Sequence, residues 1–542
     1  MAKKAIVLAA GFGTRLRPLT CAFPKPLLPV WSQTMLARVV AHLRSIGVED
    51  IAVNCHFHHE QIEAWCRENG CRAVYEPEIL GTGGVLNPLA EWIGGDDFYL
   101  VNGDIVFENP PRLELPASDE VIAAAAVTAQ GPRTVEVESV SGYITCWRSP
   151  DAGWDGTYTY AGYSLLKASI LDYVPRQGFS SIVEAFEKAM FDGKFVKAEF
   201  GDDFLWTDAG TIDSYIDVNR DGDDNAFAAI PQISAALGDD ARDVDFIGAR
   251  GSDRVFFSAP GKVVVIYDDS KRGENAKYAA HARWLAQKGV PVPQVLRGLV
   301  DIKTLVLEDA GREDSSFEKA VEAVKALAKF NALDYSDIEE TLEPAMDEDL
   351  WRWERDLFKE HCLESRFGLE MPADVLAELE SVAVRLESQP PQLVHRDFQM
   401  TNVLWRGDNL KFIDFQGMRK GPAAYDLASF VYDPYVKRSE RHRLALVEVY
   451  AKASSRVDIA EILPFAAVQR LIQCLGAYGR LASVGRGEFG RYVLPALENL
   501  LAAADEAGLD ALGALAEELI HLETKKGSGP HADGCTCGHC GE

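Results

Sequence analysis

The sequence predicts an α/β protein of two domains, an N-terminal doubly wound domain on a parallel sheet followed by an α+β domain that ends in helices. Three observations lead there. At 542 residues the chain exceeds what one ordinary hydrophobic core accommodates. Strand-like and helix-like segments alternate from residue 5 to residue 101, the pattern of a parallel sheet with ligands at the C-terminal strand ends. Beyond residue 440, helical periodicity prevails.

In order, Ala5–Ala10 reads as a strand, Gln33–Ile46 as a helix, Ile51–Cys55 as a strand and Glu60–Asn69 as a helix. A strand at Arg72–Tyr75, a helix near Val85–Trp92 and a strand at Phe98–Val101 follow. Composition is globular, 47% hydrophobic and 25% charged, so each domain can bury a core. The net charge of −28 argues against nucleic acid, whose phosphates attract basic surfaces. No apolar run approaches the ~20 residues that cross a membrane, and no hydrophobic export segment follows Lys3-Lys4, so a cytoplasmic protein is expected. Cys21, Cys55, Cys66, Cys71, Cys146, Cys362 and Cys474 are scattered singly, as reduced structural thiols are.

The first strand ends in Leu8-Ala-Ala-Gly-Phe-Gly-Thr-Arg-Leu-Arg-Pro-Leu-Thr20, and Phe23-Pro-Lys-Pro-Leu-Leu-Pro-Val30 follows. Small residues at Ala10, Gly11, Gly13 and Thr14 let backbone amides approach phosphate oxygens, and Arg15 and Lys25 supply positive charge. The whole run resembles the sugar-phosphate nucleotidyltransferases, over about residues 1–220. That resemblance implies a Rossmann-like fold. It implies contact of Glu78-Ile-Leu-Gly-Thr-Gly-Gly84, through Gly81, Thr82 and Gly83, with the nucleotide. It also implies a magnesium site on Asp104, in Val101-Asn-Gly-Asp, and Asp208, in Leu205-Trp-Thr-Asp. A metal bridging phosphates suits in-line attack by a sugar 1-phosphate on the α-phosphorus of an NTP, with pyrophosphate leaving. Gly142 and Gly162, the latter in Tyr158-Thr-Tyr-Ala-Gly-Tyr163, stand either at turns or where the family contacts sugar; no Glu-Lys-Pro precedes that strand. His56, His58 and His59 read as a solvated loop or, less simply, as metal ligands.

Acidic, turn-rich segments around Asp221–Asp224 and Gly238–Asp243 flank a short apolar piece, placing a boundary within residues 222–242. Domains are therefore expected at 1–225 and 243–525, with a linker at 226–242 and a Cys/His-rich tail at 526–542. The small lobe of the second domain would reach to about residue 310, with strands at Gly251–Phe257 and Val263–Tyr267, a helix at Gly273–Gln287, and an adenine-contacting hinge at Thr304-Leu-Val-Leu-Glu308-Asp.

Its centre is Leu393-Val-His-Arg-Asp-Phe-Gln-Met-Thr-Asn402, followed by Phe412-Ile-Asp-Phe-Gln416. Phosphoryl transfer from ATP needs these groups: Asp397 to accept the hydroxyl proton, Asn402 and Asp414 to hold magnesium on the phosphates. Strands Val403–Trp405 and Leu410–Ile413 around a Gly407-Asp-Asn409 turn would bring Asn402 and Asp414 together. The pattern resembles the aminoglycoside-phosphotransferase-like, protein-kinase-like enzymes. Val263-Val-Val-Ile-Tyr267 lacks the phosphate-pairing Lys of protein kinases; Arg254, Lys262, Lys271 and Lys277 are open substitutes.

With Trp351-x-Trp-Glu-x-Asp-Leu-Phe358 and Gly421-Pro-Ala-Ala-Tyr-Asp-Leu-Ala-Ser429, residues 245–520 resemble the anomeric kinases of N-acetylmuramate and N-acetylglucosamine. That resemblance gives Asp426 an anchoring role. It leaves Trp353, Glu354 and Phe358 either at an acceptor pocket or in the core. The remaining large-lobe helices are expected at Arg441–Ala453, Pro464–Ala482, Val493–Ala504 and Ala511–Thr524. In the tail, Cys535, Cys537, His539 and Cys540 read as a soft-metal site or as a flexible end.

An anomeric kinase makes the sugar 1-phosphate that a nucleotidyltransferase consumes. The pair implies sugar activation: a small-molecule sugar and ATP give a sugar 1-phosphate, which with UTP or another NTP gives an NDP-sugar, with Mg2+ throughout. Two alternatives stay open: a kinase of aminoglycoside type beside an unrelated transferase, and one half acting as a non-catalytic sensor.

Overall fold

The computed structural model describes residues 2–147, 157–220, 222, 226–250, 253–270, 273–483 and 485–527. The Cys/His tail, Gly251, Ser252 and Lys271 lie outside them. By packing, the chain divides into two compact units, Met1–Lys271 with Leu296–Leu307, and Arg272–Val295 with Glu308–Glu542.

The first unit is built on a seven-stranded sheet. Its strands in chain order are β1 (Lys4–Leu8), β2 (Asp50–Cys55), β3 (Arg72–Tyr75), β4 (Phe98–Asn102), β5 (Val121–Thr128), β6 (Thr159–Leu166) and β7 (Phe195–Glu199). They lie in the spatial order β7-β5-β6-β4-β1-β2-β3. β1 pairs in parallel with β2 and β4. β6 runs antiparallel to both β4 and β5, so the expected parallel sheet carries one reversed strand. Fully buried strands read as continuous apolar runs, and β5, Val-Ile-Ala-Ala-Ala-Ala-Val-Thr, is buried at every position. Helix Met35–Ser45, capped by the Thr34 hydroxyl on the Ala37 amide, covers one face with Leu36, Val39, Val40 and Leu43. Helices Leu86–Ile93 and Ile182–Phe191 cover the other.

A five-stranded sheet belongs to the same unit except at its outer residues: β8 (Asp245–Arg250), β9 (Arg254–Ala259), β10 (Lys262–Tyr267), β11 (Val295–Leu299) and β12 (Thr304–Glu308), ordered β8-β9-β10-β12-β11. Residues 226–242, expected as a linker, are not an open tether. Pro231–Leu237 is a helix, and Phe227, Ile230 and Ile233 are buried in one cluster with Leu16, Leu19 and Leu28 on one side and Val255, Phe257, Val264 and Ile266 on the other. The buried Gln232 donates Nε2–H to the Leu19 carbonyl at 2.7 Å. The loop that follows β1 therefore rests, through this helix, on the five-stranded sheet. Arg17 adds an ion pair to Asp268 at 3.5 Å.

In the second unit, helix Glu274–Gln287 and the hairpin β13 (Val403–Arg406) and β14 (Asn409–Phe412) form as expected, in the register Val403 opposite Phe412. Large-lobe helices are Glu440–Ser454, Ile459–Ser483, Val493–Ala507 and Asp510–Gly527. Ile459–Ser483 corrects one expectation: by length and composition it is apolar enough to cross a membrane. Most of it is buried inside the unit, with Gln469 and Arg470 among its buried residues, as in the central helix of a core. The seven described cysteines are all free thiols.

Candidate active sites

In the first unit, a cavity of about 170 Å³ opens at the C-terminal end of β1, lined by Ala9, Gly11, Gly13, Thr14, Arg15, Lys25, Asp104 and Gly210 among others. The chain leaves β1 and turns through left-handed Gly13 into a short 3-10 turn, Thr14–Leu16. Leu16 is buried, which aims Arg15 back over the cavity. Asp104 follows β4, and Asp208 ends the strand Leu205–Asp208, which pairs with Ile105–Glu108. Four expected residues thereby converge. The buried Lys25 places Nζ 2.8 Å from Asp104 Oδ2 and 3.3 Å from Asp208 Oδ1, and Arg15 lies 3.4 Å from Asp208 Oδ2. Both carboxylates remain partly open, at 35% and 41% exposure. Two hard oxygen donors on an open face suit Mg2+, which keeps waters and takes substrate phosphates as further ligands. Among the described residues no cluster of three or more His, Cys, Asp or Glu could hold a metal by itself.

Ala10 is buried between the cavity-lining Ala9 and Gly11. The Gly81–Gly84 segment is engaged with protein. The Gly83 and Gly84 amides donate to the Ser180 carbonyl at 2.9 and 3.2 Å, and Thr82 Oγ1 accepts from the Ile182 amide at 2.9 Å. Behind it runs a buried relay that the sequence reading missed. The Ala9 amide donates to Asn54 Oδ1 at 2.6 Å, Asn54 Nδ2 donates to Glu76 Oε1 at 2.7 Å, and the Leu80 amide donates to Glu76 Oε2 at 2.9 Å. One carboxylate thus ties the β1 loop to the Gly81 loop. A lone Glu before Pro77, at the end of a strand, was the available signal.

Gly162 sits at a bulge of β6, where a Cβ would collide with the Asn102 side chain; close packing against β4 requires the glycine. Gly142 serves a turn, its amide on the Glu138 carbonyl at 2.9 Å. His56, His58 and His59 each have a separate partner: the Glu76 carbonyl, the Cys21 carbonyl and Glu63.

In the second unit the residues expected to form a catalytic loop gather. Ile413 N–H bonds the Asn402 carbonyl at 3.0 Å, extending the hairpin and setting Asp414 beside Asn402. Asn402 is buried and donates Nδ2–H to the Asp397 carbonyl at 2.8 Å, leaving its amide oxygen for another ligand. Asp414 has a left-handed backbone (φ 66°), and Gln416 Nε2 donates to its Oδ1 at 2.7 Å. The loop hangs from the fully buried Asp426, which accepts the His395 and Arg396 amides at 2.7 and 2.8 Å. Asp433 holds its far end through the Met400 amide, at 2.7 Å.

Asp397 makes an ion pair with Arg470 at 2.9 Å. Burial alone would raise its carboxyl, yet Arg470, then Arg396 and His395, outweigh burial and hold it at about 2. Glu354 is fully buried, accepting from Tyr425 Oη at 3.0 Å and Gln469 Nε2 at 2.9 Å. Burial pushes its carboxyl upward against the pull of Arg396. Trp353 faces outward, and Trp351 and Phe358 fill the core instead.

Glu308, expected at a nucleotide hinge, is a brace: it pairs with Lys411 at 2.8 Å and accepts the Gln294 amide at 3.1 Å. Among the substitutes for the absent Lys, Lys262 is tied to Asp240 at 2.8 Å and Lys277 to Glu343 at 2.6 Å. Burial, aided by Lys277, pushes the neighbouring His281 down to about 4.

Comparison with known proteins accords with both halves. Residues 5–150 match the model of the MobA-like NTP transferase domain, and residues 244–465 that of the phosphotransferase enzyme family. The mannose-1-phosphate guanylyltransferase 1 of Arabidopsis thaliana is 28% identical over 229 residues, 39% of this chain and 63% of that protein. The N-acetylmuramate/N-acetylglucosamine kinase of Pseudomonas aeruginosa is 29% identical over 221 residues, 36% of this chain and 63% of that protein. A UTP–glucose-1-phosphate uridylyltransferase of Synechocystis sp. is 27% identical over 242 residues, 39% of this chain and 61% of that protein. The chain thus spans less than two thirds of the length of each. Two domain models thus match in order along the chain, an NTP transferase domain ahead of a phosphotransferase one.

Proposed function

We propose that the two domains perform consecutive steps on one sugar. The C-terminal domain transfers the γ-phosphoryl group of ATP to the anomeric hydroxyl of a hexose of the N-acetylmuramate or N-acetylglucosamine type, giving a sugar 1-phosphate and ADP. The N-terminal domain then joins that phosphate to the α-phosphorus of UTP, releasing pyrophosphate and forming a UDP-sugar. The acceptors named for the Pseudomonas kinase and the UTP named for the Synechocystis uridylyltransferase support this choice; the Arabidopsis guanylyltransferase makes GTP the competing nucleotide. The proposal extends to a role in recycling cell-wall sugars in the cytoplasm.

The observation that carries it is the presence, in one chain, of the Lys25–Asp104–Asp208 cluster and the Asp397–Asn402–Asp414 set. In the first, Gly11, Gly13 and Thr14 cradle the triphosphate while Arg15 and Lys25 stabilise charge that builds on the α-phosphoryl oxygens and the leaving pyrophosphate. Asp104 and Asp208 would hold magnesium, as would Asn402 and Asp414; when bound it neutralises phosphate charge. In the second, Asp397 orients the acceptor hydroxyl and takes its proton as the bond to phosphorus forms.

The test is to incubate the protein with ATP, magnesium, UTP or GTP and a panel of free hexoses, and to identify products by mass. A hexose 1-phosphate without UTP, and a UDP-hexose with it, are expected. If no hexose in the panel gains a phosphate, or if the phosphate is an alkali-stable ester away from the anomeric carbon, the reading fails.

A further inference from the structure

Helix Ile459–Ser483 threads the core of the second unit, yet it delivers a cation to the catalytic loop. Arg470 is buried, and its guanidinium is fixed on three sides. Nη1 donates to Asp397 Oδ1 at 2.9 Å and to Gln473 Oε1 at 2.8 Å, and Nη2 donates to Gln399 Oε1 at 3.1 Å. The helix itself cannot slide. A Cβ on Gly476 or Gly479 would overlap backbone atoms of Leu357, Phe358 or His361, so the close approach to that segment sets the register that presents Arg470. Asp397 is only partly buried, and among the described residues its Oδ2 takes no hydrogen bond. A single N–H of a guanidinium held in plane by its other partners thus sits on one carboxylate oxygen and leaves the other available to a hydroxyl.

We propose that Arg470 is a positioning residue of the phosphotransferase: by clamping Oδ1 of Asp397 it fixes the carboxylate so that Oδ2 faces the acceptor hydroxyl. This rests on the kinase reading given above. Arg470 touches neither substrate nor the phosphoryl group; it acts through Asp397. Gln399 and Gln473 serve the same end by holding the guanidinium in plane. Arg396, which precedes Asp397, adds positive charge beside it, but the ion pair and the side-chain hydrogen bond to the carboxylate come from Arg470.

The experiment measures kcat, KM for ATP and KM for N-acetylmuramate or N-acetylglucosamine in the full chain, with Arg470→Met, Arg470→Lys and Gln473→Ala. Since a general base contributes about 10²–10⁴-fold, Arg470→Met should lower kcat by about 10²-fold with both KM values within about threefold of the parent. Arg470→Lys should restore part of that rate, and Gln473→Ala, at a half-buried site, should cost about threefold in kcat alone. UDP-sugar formation from supplied sugar 1-phosphate should be unchanged in all three and reports that the chain is folded. Loss of rate accompanied by a matching rise in KM, or no recovery with Lys, overturns the proposal. If Arg470→Met does not accumulate, the Lys and Gln473 variants decide: full parental kcat in both overturns it. A parent protein that phosphorylates neither sugar overturns the kinase reading instead.

Discussion

Both active regions set a buried cation against a carboxylate, and they differ in what holds the cation. Among the described residues Lys25 Nζ pairs with two carboxylates, Asp104 and Asp208, both partly exposed, and Asp104 lines the cavity. Arg470 has one carboxylate and two amide oxygens, and the pair is built into the middle of a core helix. A flexible ammonium among exposed oxygens can change partners; a planar guanidinium locked by three acceptors cannot. On the proposed reading this is the difference between two chemistries. The first site must release its carboxylates when charged phosphates arrive, whereas the second must keep one carboxylate still. Charge density alone would not distinguish them.

Substitutions can break this contrast, beginning with the largest effect. Asp397→Asn should reduce sugar phosphorylation by about 10³-fold, the middle of the range for a lost general base, with pyrophosphate release from supplied sugar 1-phosphate intact; an assay of both products on one preparation decides it. Lys25→Met removes the exchangeable cation and leaves two carboxylates facing each other. It should cost the nucleotidyl transfer about 10²-fold, as for one lost electrostatic contact, and leave the kinase untouched. Wild-type transfer rates in Lys25→Met would show that the ammonium is only a structural counter-ion.

Asn54→Ala sharpens the comparison by loosening the scaffold of the first site rather than its charges. Glu76 and the Ala9 amide would each lose a buried partner, so unfolding stability should fall by about 2 kcal/mol, read from the denaturant midpoint, with a raised KM for NTP. The smallest effect concerns His281 in the second unit. Its folded-state value of about 4 lies below the ordinary 6.5, so the unfolded chain binds the extra proton. Stability from this residue is complete above pH 6.5 and declines as pH falls toward 4. Between pH 7 and 5.5 the loss should be about 1 kcal/mol, and His281→Gln should abolish it.

The elements that carry periodic signals were readable in advance. The hairpin Val403–Arg406 with Asn409–Phe412 announced itself through its Gly407-Asp-Asn409 turn, and with it came the juxtaposition of Asn402 and Asp414. The pairing of Asp104 with Asp208 came from the resemblance to the sugar-phosphate nucleotidyltransferases and Lys25 from its charge in Phe23-Pro-Lys-Pro; the fold brings the three together. Three things were hidden, each because tertiary contact decides it. Phe227, Ile230 and Ile233 sit between acidic turns that look like a surface joint, and only the cluster around Leu16 and Phe257 makes them core. Glu308 lies where a hinge was expected, but the side chain answers to Lys411, far along the chain. Arg470 and Gln469 read as polar interruptions of an apolar helix; nothing local tells that their partners are Asp397 and Glu354.

The apolar cluster joining Leu16 and Leu19 to Phe257 and Val264 bears on how such a chain could be recombined. A chimera that kept residues 1–243 and grafted on a foreign kinase would strip the floor from beneath the loop that presents Arg15. The proposed nucleotidyl transfer would fade although every side chain around that cavity had been preserved, which makes the seam between the two matched families a poor place to cut.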